Sequence, residues 1–101
     1  MAYKIIWSPI SRDDLRDLVR YISADNPLRA QSFALQLIAK VNGLQNFPEI
    51  GRIVPERKDP LIREIIFHSY RIVYRINHQE KLIGVARVWH AARAEPDLEE
   101  D

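Results

Sequence analysis

The residues of this chain best suited to chemistry are cations in its second half. Residues 49–93 hold nine bases, among them Arg52, Arg63, Arg71, Arg75, Arg87 and Arg93, against five acids. In Tyr70-Arg71-Ile72-Val73-Tyr74-Arg75-Ile76, the tyrosines and isoleucines alternate with the two arginines. As a strand, this run sends Tyr70, Ile72, Tyr74 and Ile76 to one face and Arg71 and Arg75 to the other. Neighbouring strands can add Arg63, Arg87 and Arg93. Guanidinium groups gathered in this way repel one another until a phosphate or carboxylate comes to them. His90 stands three residues before Arg93. An imidazole titrates near neutrality and can move a proton in phosphodiester cleavage, with a nearby arginine stabilising the developing charge. The plainer alternatives are solvated arginines paired with Glu64 and Glu80, and a histidine that closes a strand end.

Other chemistries find little support. The chain has no cysteine, which excludes disulfides, thiolate metal sites and a cysteine nucleophile. His68 and His78 fall in expected turns, and no pair of histidines has metal-ligand spacing. The three glycines are isolated, so no glycine-rich phosphate loop or nucleophile elbow exists. Trp7 and Trp89 are expected as packing anchors. Tyr70 and Tyr74 share a face with Ile72 and Ile76 and are expected in a core. No metal and no cofactor is expected.

The elements that must position these groups follow from local signals. Tyr3-Lys4-Ile5-Ile6-Trp7 is aromatic and β-branched and reads as a strand. Ser8 and Pro9 are placed as N-cap and first residue of a helix whose apolar face is Leu15, Leu18, Val19 and Ile22. Its polar, solvated face carries Arg12, Asp13, Asp14, Arg16, Asp17 and Arg20, with Asp13/Arg16 one opposite-charge pair. Asn26 and Pro27 repeat the capping signal, and Ala30, Phe33, Leu37, Val41 and Leu44 predict a second helix to about Asn46. Helices joined by so short a turn lie side by side as a hairpin. Residues 47–60 are punctuated by proline and glycine and read as a loop. Leu61–Phe67, Tyr70–Ile76 and Lys81 to about His90 then form an antiparallel meander. The expectation is an α+β fold of order β-α-α-β-β-β, an antiparallel sheet with the helical hairpin on one face and the arginines on the open one.

With 101 residues the chain fits one domain, here residues 1–93. Its formal charge of +1 conceals an asymmetry. Residues 94–101 hold five acids and no base, whereas residues 1–93 carry fifteen bases against nine acids, or +6. Residues 94–101 read as a solvated, disordered acidic tail. A basic body suggests an anionic partner, either nucleic acid or an acidic protein segment. No apolar run reaches the roughly 20 residues of a membrane span, and no signal-peptide core opens the chain. A cytoplasmic protein is expected.

A family resemblance now becomes visible in ordered motifs: Trp7-Ser8-Pro9, Asp14-Leu15, Tyr21-Ile22, Phe47-Pro48, Gly51-Arg52, Arg63-Glu64, Tyr70 to Ile76, and Val88-Trp89-His90-Ala91-Ala92-Arg93. In this order the chain resembles the RelE/ParE superfamily of type II toxin–antitoxin toxins over residues 3–93. The resemblance implies the fold expected above, a growth-arresting, plasmid-stabilising toxin, and a cognate ParD-like antitoxin that folds on binding. The superfamily has two activities. RelE-like members are metal-independent endoribonucleases that cut mRNA on the ribosome, whereas ParE-like members poison DNA gyrase. RelE-like nucleases carry a lysine/arginine set and often a tyrosine near the C-terminus. Here the ending is His90-Ala91-Ala92-Arg93, and the C-terminal half has only Lys58 and Lys81. The favoured expectation is therefore a ParE-like gyrase inhibitor with no catalytic residues, using Arg52, Arg63, Arg71, Arg75, Arg87 and Arg93 to bind partners. The alternative is a RelE-like ribosome-dependent mRNA interferase with Arg63, Arg71, His90 and Arg93 around the scissile phosphate.

Overall fold

Local capping starts both helices where the sequence signals them. In a computed structural model describing residues 2–92, strand β1 (Lys4–Trp7) leads through Ser8 into helix α1 (Pro9–Ser23). Ser8 is extended, and its Oγ accepts the Ser11 N–H at 3.0 Å. Pro9 occupies the first turn, where no N–H is needed. Asn26 does the same for α2 (Pro27–Asn42), its Oδ1 accepting the Arg29 N–H at 3.1 Å. The second helix ends at Asn42 rather than Asn46, and a single 3-10 turn, Gly43–Gln45, follows. Such tightening is common at helix C-termini, and here it leaves Leu44 fully buried.

The sheet has five strands in the order β1-β5-β4-β3-β2, with β2 Arg52–Ile53, β3 Ile62–Phe67, β4 Tyr70–Asn77 and β5 Leu82–His90. Strands β3, β4 and β5 form the expected antiparallel meander. Two features correct the expectation of a purely antiparallel, four-stranded sheet. First, β1 runs parallel to β5, with Lys4 opposite Leu82 and Trp7 opposite Val85. The helical hairpin carries the chain away from β1, and its partner lies nearly eighty residues on, so no local signal reveals the direction. Second, Arg52–Ile53, inside the expected loop, adds a short edge strand antiparallel to β3.

The core lies on both faces of the sheet. Beneath the helices, Leu18, Leu37, Val41 and Leu44 pack on Ile65, Ile72, Tyr74, Ile76, Ile83, Val85 and Val88. The opposite face was expected to be open. Instead Val54, from the segment after β2, joins Ile62, Val73 and Trp89 in a second, smaller core. Val54 and Val73 are fully buried. The loop folds back because those apolar side chains have nowhere else to leave water. No helix of the described residues is long and apolar enough to cross a membrane. Arg93 and the acidic segment 94–101 lie outside the described residues.

Candidate functional site

The arginines were expected to share one free surface, and the structure distributes them. On the back face, Glu64 of β3 is buried at 1% exposure between two guanidinium groups. Arg71 Nε and Nη2 lie 2.7 and 2.6 Å from Oε1, and Arg52 Nε lies 2.5 Å from Oε2. The Arg71 guanidinium also stacks over the Trp89 ring, 4.9 Å from its centroid, with Glu56 at 3.7 Å. Burying a carboxylate costs several kcal/mol unless it is paired and hydrogen-bonded, and this cluster supplies both conditions. Arg71, with a side chain only 13% exposed, therefore holds the fold together, whereas Arg52 keeps 61% of its side chain exposed.

Arg63 and Arg87 also have internal partners. Arg63 donates to the carbonyls of Pro60, Glu49 and Gly51 at 2.8, 3.1 and 3.0 Å, which pins the loop on either side of β2. Next to it, Tyr74 donates its hydroxyl to the Pro48 carbonyl at 2.8 Å and accepts the Gly51 N–H at 3.0 Å. Burial pushes the Tyr74 phenol upward from its ordinary pKa, partly countered by the Gly51 hydrogen bond. A Cβ at residue 51 would lie 2.5 Å from the Tyr74 hydroxyl and 2.6 Å from the Glu64 carbonyl, so only glycine fits there. Arg87 donates to both oxygens of Asp14, at 2.8 and 3.1 Å, and the same carboxylate accepts the Val88 N–H at 2.9 Å. The Asp14 hydrogen bond raises the Arg87 pKa further, so this cation is permanent. Arg75 is half-buried on the back face, opposite Ile62 and Gly84.

His90 lies on the other side of the sheet from Arg71. It pairs across the strands with Tyr70, and Arg71 pairs with Trp89; adjacent residues of one strand point to opposite faces. The His90 ring meets Tyr70 edge-on at 5.2 Å, and its Nδ1 accepts the Ala92 N–H at 3.1 Å. This contact closes the strand end. Arg63, Arg71 and His90 are thus not gathered around one point, and Arg93 lies outside the described residues.

A different cationic feature emerges on the helical side. A groove of about 740 Å³ runs between β1 and the hairpin, floored by Ile5, Trp7, Leu15, Val19, Ala34 and Ile38. Arg12, Arg16 and Arg20 stand along one rim at helical spacing. Arg16 is paired with Asp13, as expected. An apolar floor with a basic rim suits an amphipathic segment that carries carboxylates beside its apolar side chains. The residues were legible as a polar helix face. That they border a groove depends on how α2 and β1 pack beside them.

Comparisons with known proteins agree with this architecture. A family model for the ParE toxin of the type II toxin–antitoxin system parDE matches residues 5–95. A curated relative, Toxin RelE2 of Caulobacter vibrioides, is 30% identical over 90 residues, covering 89% of this chain and 97% of its own length. Among solved structures, a chain of the chromosomal ParDE toxin–antitoxin system from P. aeruginosa superposes with a TM-score of 0.71 at 18% identity, covering 88% of this chain and 96% of that one. A chain of the RelBE2 toxin–antitoxin complex from Mycobacterium tuberculosis gives 0.66 at 21% identity, covering 92% and 95%. At these identities the structural likeness shows the fold.

Proposed function

The chain belongs to the ParE toxin family of type II toxin–antitoxin systems, and from that membership we propose that it acts in the cytoplasm as a gyrase-inhibiting toxin silenced by a ParD-like antitoxin. One observation supports inhibition over nuclease chemistry. His90 and Arg71 occupy opposite sheet faces, and Arg63, Arg71 and Arg87 are committed to internal acceptors. A phosphate at His90 would lie on the other face from Arg71, with Arg87, which lines the same cleft, already held by Asp14, and a phosphate at Arg71 would compete with Glu64. Binding a protein target needs no such convergence. On the back face, Arg52 is the cation with a mostly exposed side chain that we assign to target contact. Adding the purified chain to a gyrase supercoiling reaction is expected to inhibit it. Unchanged supercoiling at excess protein, with growth arrest still seen in cells, overturns this reading.

The antitoxin follows from the groove. We assign the floor of Trp7, Leu15, Val19 and Ile38, with the rim of Arg12, Arg16 and Arg20, to an acidic antitoxin segment that orders on binding. Toxin–antitoxin complexes are the form in which two of the structural relatives were solved, which supports the assignment.

The relative named Toxin RelE2 favours a second reading, a ribosome-dependent mRNA interferase. That reading requires His90 for proton transfer, and His90→Ala would abolish cleavage of ribosome-bound mRNA. Arg71→Ala is the poorer probe, because it also uncovers buried Glu64. Expression that provokes a DNA-damage response supports gyrase as target; arrested translation with cut mRNA supports the interferase.

A further inference from the structure

Three residues far apart in the chain meet in a hydrogen-bonded line that neither reading above uses. Tyr3 immediately precedes β1, Glu49 lies in the loop after the 3-10 turn, and His78 lies in the turn between β4 and β5. The Tyr3 hydroxyl is 2.6 Å from His78 Nδ1, and His78 Nε2 is 3.1 Å from Glu49 Oε2. A carboxylate can only accept, so Nε2 carries the imidazole proton. In the neutral ring, Nδ1 is then left as the acceptor of the Tyr3 O–H. Hydroxyl, imidazole and carboxylate in this order form the arrangement of an activated nucleophile: a base within hydrogen-bond reach, itself oriented by a third group.

Two further contacts restrain the phenol and the ring that would take its proton. Lys81 Nζ lies 5.3 Å from the centroid of the Tyr3 ring, a cation–π contact that holds the phenol in place. The Tyr3 and His78 rings meet edge to face at 5.8 Å and 83°, which restrains the imidazole. The site is also reachable. The side chains of His78 and Glu49 are 44% and 58% exposed, and Tyr3 is half-buried. A shallow apolar groove containing Leu61, Ile76 and Leu82 begins at His78.

We propose that Tyr3 is a covalent acceptor site, an activated phenol that takes an acyl group from an ester with a good leaving group. His78 acts as the base and Glu49 as the positioning residue. As the bond from Tyr3 Oη to the acyl carbon forms, the phenolic proton passes to His78 Nδ1. The bond from the acyl carbon to the leaving oxygen breaks, and that oxygen takes the proton from the imidazolium. The products are an O-acyl tyrosine and a free alcohol or phenol. The proposal is independent of the toxin's target.

The test treats the full chain with p-nitrophenyl acetate and follows acetylation of each tyrosine by peptide mass mapping. Tyr21 is 75% exposed and serves as the internal standard, because accessibility alone would make it react first. Tyr3 is expected to acetylate about tenfold faster than Tyr21. His78→Gln is expected to remove that advantage with the Tyr21 rate unchanged, and Glu49→Gln to reduce it by a smaller factor. Fully buried Tyr74 reports unfolding, since its labelling in any variant would mark a lost fold. Should His78→Gln unfold, Glu49→Gln carries the same comparison. A Tyr3 rate no greater than that of Tyr21, or an advantage left undiminished by the substitution in a folded variant, overturns the proposal and leaves the trio a tie between β1 and two loops.

Discussion

At the scale of single residues, the side chains that matter most are those whose charge or hydroxyl is buried. Glu64 is at 1% exposure with Arg52 and Arg71 on its two oxygens. Glu64→Ala leaves the largely buried Arg71 guanidinium without its close carboxylate, keeping the Trp89 ring and Glu56 at 3.7 Å, and is expected to cost about 3 kcal/mol of stability, read as a lower denaturant midpoint. Tyr74 makes a sharper prediction through pH. Burial raises its pKa above the ordinary 10.0, so in alkali the unfolded chain loses this proton while the folded chain keeps it. Stability therefore falls as pH rises past about 10 and levels only above the folded value. Tyr74→Phe is expected to lose about 1 kcal/mol near neutrality, from its two hydrogen bonds, and to lack that alkaline slope. Denaturation midpoints of both proteins between pH 8 and 11 check this. An arginine–Glu64 pairing was legible in the sequence as the plain alternative for the basic cluster. The Tyr74 contacts with Pro48 and Gly51 were not, because they join residues twenty-three or more positions apart.

At the scale of elements, helix caps and strand runs follow from neighbours in the chain, whereas docking follows from single long-range contacts. Strand β1 covers β5 only as far as Val85, and Asp14 of α1 then takes the place of a further strand for Val88. Asp14→Ala would orphan the Val88 N–H and remove the Asp14 carboxylate from Arg87. Both side chains are largely buried, at 15% and 22% exposure. The expected loss is about 2 kcal/mol, with faster amide exchange concentrated at Val88 and the facing turn of α1. The sequence places Asp14 on a solvated helix face. Its role was invisible because the edge it caps exists only once β5 outruns β1.

At the scale of the whole molecule, charge distribution decides what can dock. Among the described residues, the excess of bases does not form one cationic sheet face. On the back face it is spread among internal pairs, and on the helical side Arg12, Arg16 and Arg20 line a groove with an apolar floor. If that groove takes an acidic antitoxin segment, the double variant Arg12→Glu with Arg20→Glu is expected to weaken binding at least about tenfold at low salt. The difference should shrink as ionic strength rises. Titration calorimetry at two salt concentrations checks both statements. Equal affinity for the two proteins would place the antitoxin elsewhere.

What the sequence determined by itself is what neighbouring residues control. Ser8-Pro9 and Asn26-Pro27 start the helices, period-2 alternation forms the meander, and ordered motifs from Trp7 to Arg93 mark the family. These signals are read within a few residues, and capping and alternation act over that range. Tertiary structure alone decided the parallel pairing of β1 with β5, the closing of the back face by Val54, and the separation of His90 from Arg71. It also decided the meeting of Tyr3, Glu49 and His78. Each depends on which apolar surfaces find each other across long stretches of chain. Hydrophobic burial is non-directional, so the residue types announce that a core will form but not which polar groups it will bring together.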